Sequence, residues 1–236
     1  MILRGGAKTT SRTIGTFDYA GNVWPLPQTG QMWLEYELLT KPDAPGFYCI
    51  STSFRQEARP IPGRHDLIFP MFEFEMKGDM NDLHRMNEDL ADFLGIAKKD
   101  TFKTFRYADL AGRYKVKELT AEHEKKMCEE FGSVVSLTHF PLYTSPFWNM
   151  KKVGDCANKI DVILHGIETI GSSKRSTDPD EMRHLFYTIS NGMYAERLFG
   201  LCGQERVERA LENFLSLDFF PRAGGGIGIT RLIRAL

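Results

Sequence analysis

No stretch of the sequence approaches the roughly 20 consecutive apolar residues that a membrane-spanning helix needs. The opening M-I-L-R-G-G-A-K-T-T likewise carries no apolar run long enough for a secretory leader. Cysteine is scarce: Cys49, Cys128, Cys156 and Cys202 are widely spaced and form no C-x2-C pair, which indicates neither a zinc site nor a disulfide framework. These absences set a reducing, cytoplasmic compartment as the expectation. Charge of one sign is also missing, since 30 Lys and Arg face 31 Asp and Glu for a net charge of −1. Such a chain has no global positive field, the term that supplies most sequence-independent affinity for nucleic acid.

What remains is ordinary for a globular protein: 236 residues, 42% hydrophobic and 26% charged, enough for one substantial core. Residues 1–28 are polar, rich in Gly and Thr and without helical period, and read as an N-terminal extension with an extended lead-in at Trp24-Pro25-Leu26-Pro27. Residues 29–236 read as one domain.

The most informative stretch is Ser51 to Glu75, S-T-S-F-R-Q-E-A-R-P-I-P-G-R-H-D-L-I-F-P-M-F-E-F-E. It predicts a strand ending near Glu57, a basic loop, and a returning strand from Leu67. Alternation puts Phe69, Met71, Glu73 and Glu75 on one face, an odd set for a core strand because two carboxylates share it with two large apolar groups. A binding floor accounts for it better. Arg55 and Arg64 can fork onto phosphate or carboxylate oxygens, Phe69 can lie against a flat ring, and Glu57 and Glu73 can accept from amino groups.

The spacing F-R-x-E, then R-H-x3-F-x-M-x-E-x-E, resembles motif 2 of the class II aminoacyl-tRNA synthetases, aspartyl/asparaginyl subgroup. That resemblance implies ATP contacts by Arg55, Glu57, Arg64, His65 and Phe69, with Phe69 under adenine and Glu73 on the ammonium of an amino acid. Ile68 departs from the Glu usual before the Phe. Gln31 matches the subgroup's S-P-Q-x-x-K as a further amino-acid ligand, while Leu34 stands where the Lys would be. The family's first motif, which builds a dimer interface, is not recognisable in residues 1–28, so a homodimer is possible without its usual signature.

Between these landmarks, Asp79 opens a helix to about Leu94 with Met80, Leu83, Met86, Leu90 and Phe93 on one stripe. Lys98 to Lys103 reads as a charged connector, and Thr120 caps a helix to Phe131 within L-T-x-E-H-E, another structural resemblance to the subgroup. Val134 to Thr138 is a β-branched buried strand. Pro146-Phe147-Trp148-Asn149 reads from its residues as core packing. The resemblance implies instead a segment lining the amino-acid pocket.

Ile160 to Arg175, I-D-V-I-L-H-G-I-E-T-I-G-S-S-K-R, predicts a hairpin turning at His165-Gly166. Ile163 then lies across from Glu168, and Asp161 and Glu168 become diagonal neighbours. Two carboxylates so placed repel unless a cation sits between them, and hard oxygen ligands imply Mg²⁺ or Mn²⁺. The resemblance assigns Asp161 and Glu168 to catalytic magnesium and Arg175 to the substrate side chain, with Gly171 as in asparagine-type members. Residues 179–194 and 204–217 read as helices separated by Gly200 to Gly203, with Met193 on the first one's apolar stripe.

The closing P-R-A-G-G-G-I-G-I-T-R-L resembles motif 3 of the same class, whose Arg, here Arg231, stacks on the far side of adenine. Its form is also similar to ammonia-dependent asparagine synthetases. The resemblance therefore implies an α/β (α+β) fold, a single class II synthetase-like antiparallel sheet flanked by helices. It implies an ATP- and Mg²⁺-dependent ligase activating an aspartate- or asparagine-like amino acid, with Arg55 and Arg231 catalytic. A tRNA acceptor end or another acyl acceptor is the implied partner, and no room is seen for an anticodon-binding barrel. Ammonia-dependent asparagine synthesis and a non-catalytic nucleotide-binding paralogue are the other readings.

Overall fold

The structure, a computed structural model, describes residues 12–57, 60–62 and 64–236, with the side chains at 12, 13, 56 and 57 outside the description. Strand β1 (Arg12–Thr13) precedes a hairpin of β2 (Thr16–Tyr19) and β3 (Asn22–Pro25). The hairpin turns on Ala20 and Gly21, both at positive φ (52° and 75°), which suits the twist of two antiparallel strands. Its strands expose every residue, Phe17 and Tyr19 included, so the alternation of T-F-D-Y marks no buried face; the sequence reading has only the lead-in at Trp24.

Helix α1 (Gln31–Thr40) buries Met32, Leu34, Glu35, Leu38 and Leu39. The expected central hairpin follows as β4 (Gly46–Phe54), β5 (Gln56–Glu57) and β6 (Ile68–Lys77), with β4 and β6 in register from Gly46 opposite Met76 to Phe54 opposite Ile68. Strand β5 pairs with β1. Asp79 then caps α2 (Met80–Phe93) in a reciprocal box with Asp82. Leu83 is wholly buried on that helix, with Met80, Met86 and Leu90 packed around the same cluster. Phe93, expected on the stripe, is 87% exposed. At about 100° per residue it falls about 80° from the line through Leu83, at the margin of the buried arc.

Where sequence reads a charged connector, a 3₁₀ turn (Lys99–Thr101) leads into β7 (Lys103–Arg106), a short exposed strand supported by its neighbour rather than by its own pattern. Helices α3 (Tyr107–Arg113) and α4 (Ala121–Phe131) follow, then β8 (Val134–Pro141), β9 (Lys152–Val153), β10 (Cys156–Leu164) and β11 (Ile167–Lys174). The expected helix over 179–194 is broken: α5 (Pro179–Thr188) stops and α6 (Met193–Cys202) restarts. Ser190 and Asn191 between them take left-handed φ of 54° and 56°, conformations a continuous helix cannot contain. Met193 consequently opens the second helix and is exposed. Gly200 lies inside α6, and the chain turns only at Gly203 before α7 (Gln204–Leu215). Strand β12 (Arg222–Gly228) and α8 (Ile229–Arg234) close the chain.

Eight strands make the main sheet in the order β4-β6-β12-β11-β10-β8-β7, with β9 beside β10. All pair antiparallel except β7 with β8. Helix α2 covers one apolar face with Phe74, Val162 and Ile170, while α5, α6 and α7 gather around Trp148 in a separate cluster. No helix among the described residues is long and apolar enough to cross a membrane.

Glycine is required where β12 crosses between β6 and β11. A Cβ at Gly224 would lie 2.4 Å from Phe74 O and 2.0 Å from Glu75 Oε2, and one at Gly225 would lie 2.4 Å from Gly171 O. The space so freed admits a buried ionic network. Arg222, fully buried, donates from Nε and Nη2 to Glu35 Oε2 at 3.0 and 2.8 Å, and from Nη1 to Ser176 O at 3.0 Å. Arg175 donates from Nη2 to Glu75 Oε2 at 3.0 Å and from Nη1 to Ser173 Oγ at 2.7 Å. Removing one partner of such a pair leaves a buried charge uncompensated. Arg222→Met should therefore cost about 3–5 kcal/mol of unfolding free energy in urea titrations. Adding Glu35→Leu should recover part of that loss.

Candidate active site

A cavity of about 740 Å³ opens on the sheet face that carries Phe69, Met71 and Glu73. Gln31, Arg55, Arg64, His65, Phe69, Glu73, Asp161, Glu168, Arg175 and Arg231 all line it, so residues from opposite ends of the chain meet there. Glu57, the remaining expected ligand, has its side chain outside the described residues.

At one end stand the basic and aromatic groups. The Arg55 guanidinium lies 4.9 Å from the centre of the Phe69 ring, which places positive charge beside a flat apolar surface. Arg64 is held by Glu124 of α4, its Nη2 donating to both carboxylate oxygens at 2.7 and 2.8 Å. Its Nη1 is buried without a hydrogen-bond partner among the described residues, a donor that an anion can take up. Glu124 Oε2 also accepts from the backbone N–H of Glu168 at 2.8 Å. Arg231 completes the circuit, donating from Nη1 to Glu168 O at 2.5 Å and from Nη2 to Arg64 O at 3.3 Å. Four segments far apart in sequence are thereby tied around one corner.

At the other end, Glu73 is 2% exposed and accepts from Gly30 N at 2.8 Å and from the hydroxyls of Thr29 and Ser51. Gln31 spends both hydrogens of its Nε2 on Phe74 O and Glu75, so its Oε1 is the atom it can offer to a donor such as an ammonium. Arg175 is 3% exposed, with its charge balanced by Glu75. Burial pushes the Glu75 carboxyl up from 4.5 to about 7, against the pull of the Arg175 guanidinium.

The β10–β11 hairpin turns at His165-Gly166 with Ile163 opposite Glu168, as its sequence predicts. The register then skips Thr169, so Asp161 faces Gly171 instead of Ile170. This bulge turns Ile170 into the core, where it is 2% exposed, and brings Gly171 to the cavity. A Cβ at Gly171 would lie 3.4 Å from Asp161 Oδ1 and 3.5 Å from Glu168 Oε1. The two carboxylates thus flank a cradle that only a missing side chain leaves open. Two hard oxygen donors around such a space fit a small divalent cation whose remaining positions are filled by water and phosphate.

Trp148 corrects an expectation drawn from resemblance. Phe147 and Pro146 line the cavity, but Trp148 is wholly buried edge-on against Phe186 and Phe214. Asn149 is buried too and donates to Glu35. Among the other lining residues, Glu124 and Lys159 carry charge that the sequence does not assign to a site. Glu124 was visible only as part of a helix start, and its reach to Arg64 is tertiary. Lys159 shares a strand face with Asp161, a signal that alternation carries but that the carboxylates overshadow.

A mixed fold built on an antiparallel sheet, with a cavity of arginines, acids and one stacked ring over a glycine strand, is the class II synthetase core. The chain belongs to the tRNA synthetases class II (D, K and N) family, which it matches over residues 7–236. It is 28% identical over 122 residues to the aspartate–tRNA(Asp) ligase of Pyrobaculum aerophilum, and 26% identical over 122 residues to the aspartate–tRNA(Asp/Asn) ligase of Methanopyrus kandleri. Those alignments cover 50% and 44% of this chain and 25% and 28% of the relatives.

Among solved structures, the asparaginyl-tRNA synthetase of Pyrococcus horikoshii complexed with asparaginyl-adenylate superimposes with TM-score 0.75 at 21% identity. That of Entamoeba histolytica does so with TM-score 0.72 at 20% identity. Each superposition covers 98% of this chain and 56% of the other, so the chain spans little more than half the length of these neighbours.

Gly171→Val should leave the fold intact, because a β-branched residue suits a strand. Its methyls would occupy the space between Asp161 and Glu168, and Mn²⁺ affinity measured by electron paramagnetic resonance should fall about tenfold or more. Glu75 supplies a pH test. Its carboxyl binds a proton more tightly folded than unfolded, so its contribution is fully present below about 4.5 and is lost as pH rises through about 7. Glu75→Gln removes that term. The variant's stability relative to the parent should climb across this window, and a flat difference between the two urea-unfolding curves would contradict the assignment.

Proposed function

We propose that this cavity binds ATP together with an amino acid of the aspartate or asparagine type and joins them as an aminoacyl-adenylate. The observation that carries the reading is the convergence of ten expected ligand residues, drawn from Gln31 to Arg231, on one cavity. The family consists of ligases, and P. horikoshii and E. histolytica members are solved with asparaginyl-adenylate, which supports the same chemistry here.

In the proposed reaction a carboxylate oxygen of the amino acid attacks the α-phosphorus. A new C–O–P linkage forms, the bond between that phosphorus and the bridging oxygen to the β-phosphate breaks, and pyrophosphate leaves with the electron pair. Nothing in the step needs a proton relay. Catalysis is then positioning and charge neutralisation. Phe69 and Arg231 hold the base between them, Arg55 meets the α-phosphate, and Arg64 and His65 take the outer phosphates. Gln31 Oε1 and Glu73 receive the ammonium, with Arg175 at the side-chain end. A divalent cation bound by Asp161 and Glu168 would supply Lewis-acid stabilisation of phosphate charge.

Pyrophosphate exchange into ATP over a panel of amino acids tests the reading: exchange with aspartate or asparagine is expected, and its absence with every amino acid would leave a nucleotide binder only. Product analysis with deacylated tRNA and with ammonium as acceptors identifies where the acyl group goes. Arg231→Ala should lower the exchange rate roughly a hundredfold, as loss of a contact that positions the substrate can, and should remove the thermal stabilisation given by ATP. An unchanged ATP-induced shift would refute the base-stacking role.

A further inference from the structure

Lys159 belongs to none of the roles above. It lies on β10 two residues before Asp161, on the same strand face, and both line the cavity. Its ammonium is ion-paired with Asp161 Oδ2 and stands 3.9 Å from the centre of the Phe140 ring. Side-chain exposure is only 19% for Lys159 and 8% for Asp161, so the pair is partly withdrawn from water and its attraction is stronger than at a surface. Asp161's other oxygen, Oδ1, is the one turned to the Gly171 cradle beside Glu168.

We infer that Lys159 is the internal cation of this site: it holds Asp161 while no metal is bound and is released into the cavity when a divalent cation takes the carboxylate. The inference rests on reading Asp161 and Glu168 as a metal pair. Three features support it. The ammonium neutralises one of two carboxylates that would otherwise repel across Gly171. Cation–π contact with Phe140 gives it a second anchor, so it need not follow Asp161 once the metal is in place. Across the ladder Lys159 faces Ser173, whose hydroxyl accepts from Arg175. A released ammonium therefore stands between the metal acids and Arg175, where an anionic ligand would bridge the two ends of the cavity. Lys159 then exchanges one carboxylate for another anion instead of standing unpaired.

The test titrates Mn²⁺ into the protein without nucleotide, read by electron paramagnetic resonance. Lys159→Met keeps the stem's packing and removes the competing charge, and it should bind Mn²⁺ roughly tenfold more tightly than the parent, as expected for a close charge pair of this kind. A purely structural lysine would leave the affinity unchanged or lower it. Lys159→Arg, which retains the charge, guards against misfolding of the Met variant and should stay near the parent value.

A second readout uses the parent chain alone. Reductive methylation followed by peptide mass spectrometry should show Lys159 labelled faster when Mn²⁺ is present. Equal Mn²⁺ affinity in parent and Lys159→Met, or labelling indifferent to Mn²⁺, would overturn the inference while leaving the adenylate reading intact. Mn²⁺ binding by neither protein would overturn the metal pair as well. Failure of pyrophosphate exchange beside a tightened Mn²⁺ affinity would remove only the proposed reaction.

Discussion

Two buried glutamates can exist in this interior only because two buried arginines meet them. Glu35 comes from α1, Glu75 from β6, Arg175 from the segment after β11 and Arg222 from the start of β12. Each ion would be prohibitively costly to desolvate alone, so the four segments must arrive together or not at all. That requirement reaches into the backbone. Glu75 extends over β12 only where Gly224 leaves room, and Gln31 at the start of α1 spends its amide on Glu75 and on the carbonyl of Phe74. The same contacts thus fix the helix over the sheet, the spacing of three strands and one wall of the cavity. A purely apolar interior could pack as densely, but it would not set the register of α1 against β6 to within one residue.

The opposite end of the cavity is organised differently. Arg64, Glu124, Glu168 and Arg231 form a circuit that alternates side-chain and backbone atoms, and its Arg64–Glu124 pair is 14% exposed on each side. Its members can change partners at lower cost than the buried four, because water can reach them. One end of the site is therefore more firmly fixed than the other; on the proposed reading the first suits recognition of the amino acid and the second suits closing around phosphates.

Much of this was legible from sequence. Alternation in Leu67 to Glu75 gave the face of β6 that floors the cavity, and Ile163 opposite Glu168 followed from the two-residue turn alone. What could not be read was whatever depended on contacts across the fold. The bulge at Thr169 has no local mark, yet it decides that Gly171 and not Ile170 faces the cavity. Strand β7 exists because β8 offers it a partner. The break at Ser190 and Asn191 falls within an apolar period that continues on both sides, so periodicity joins what the backbone separates. Trp148 shows the reverse error: resemblance placed it at the pocket, and volume placed it among Phe186 and Phe214.

The charge pattern of the cavity also limits what can enter it. Arg64 is matched by Glu124, Lys159 by Asp161 and Arg175 by Glu75. An anion that draws Arg64 and Lys159 to itself leaves two acids behind without their cations, and the gain on one side is offset on the other. An anion that carries its own divalent cation brings both signs, and every group keeps a partner. On the proposed reading this favours a metal-bound nucleotide over free phosphate or a free carboxylate, without any single residue dedicated to telling them apart. Selectivity of that kind follows from balance within the site and not from its net charge.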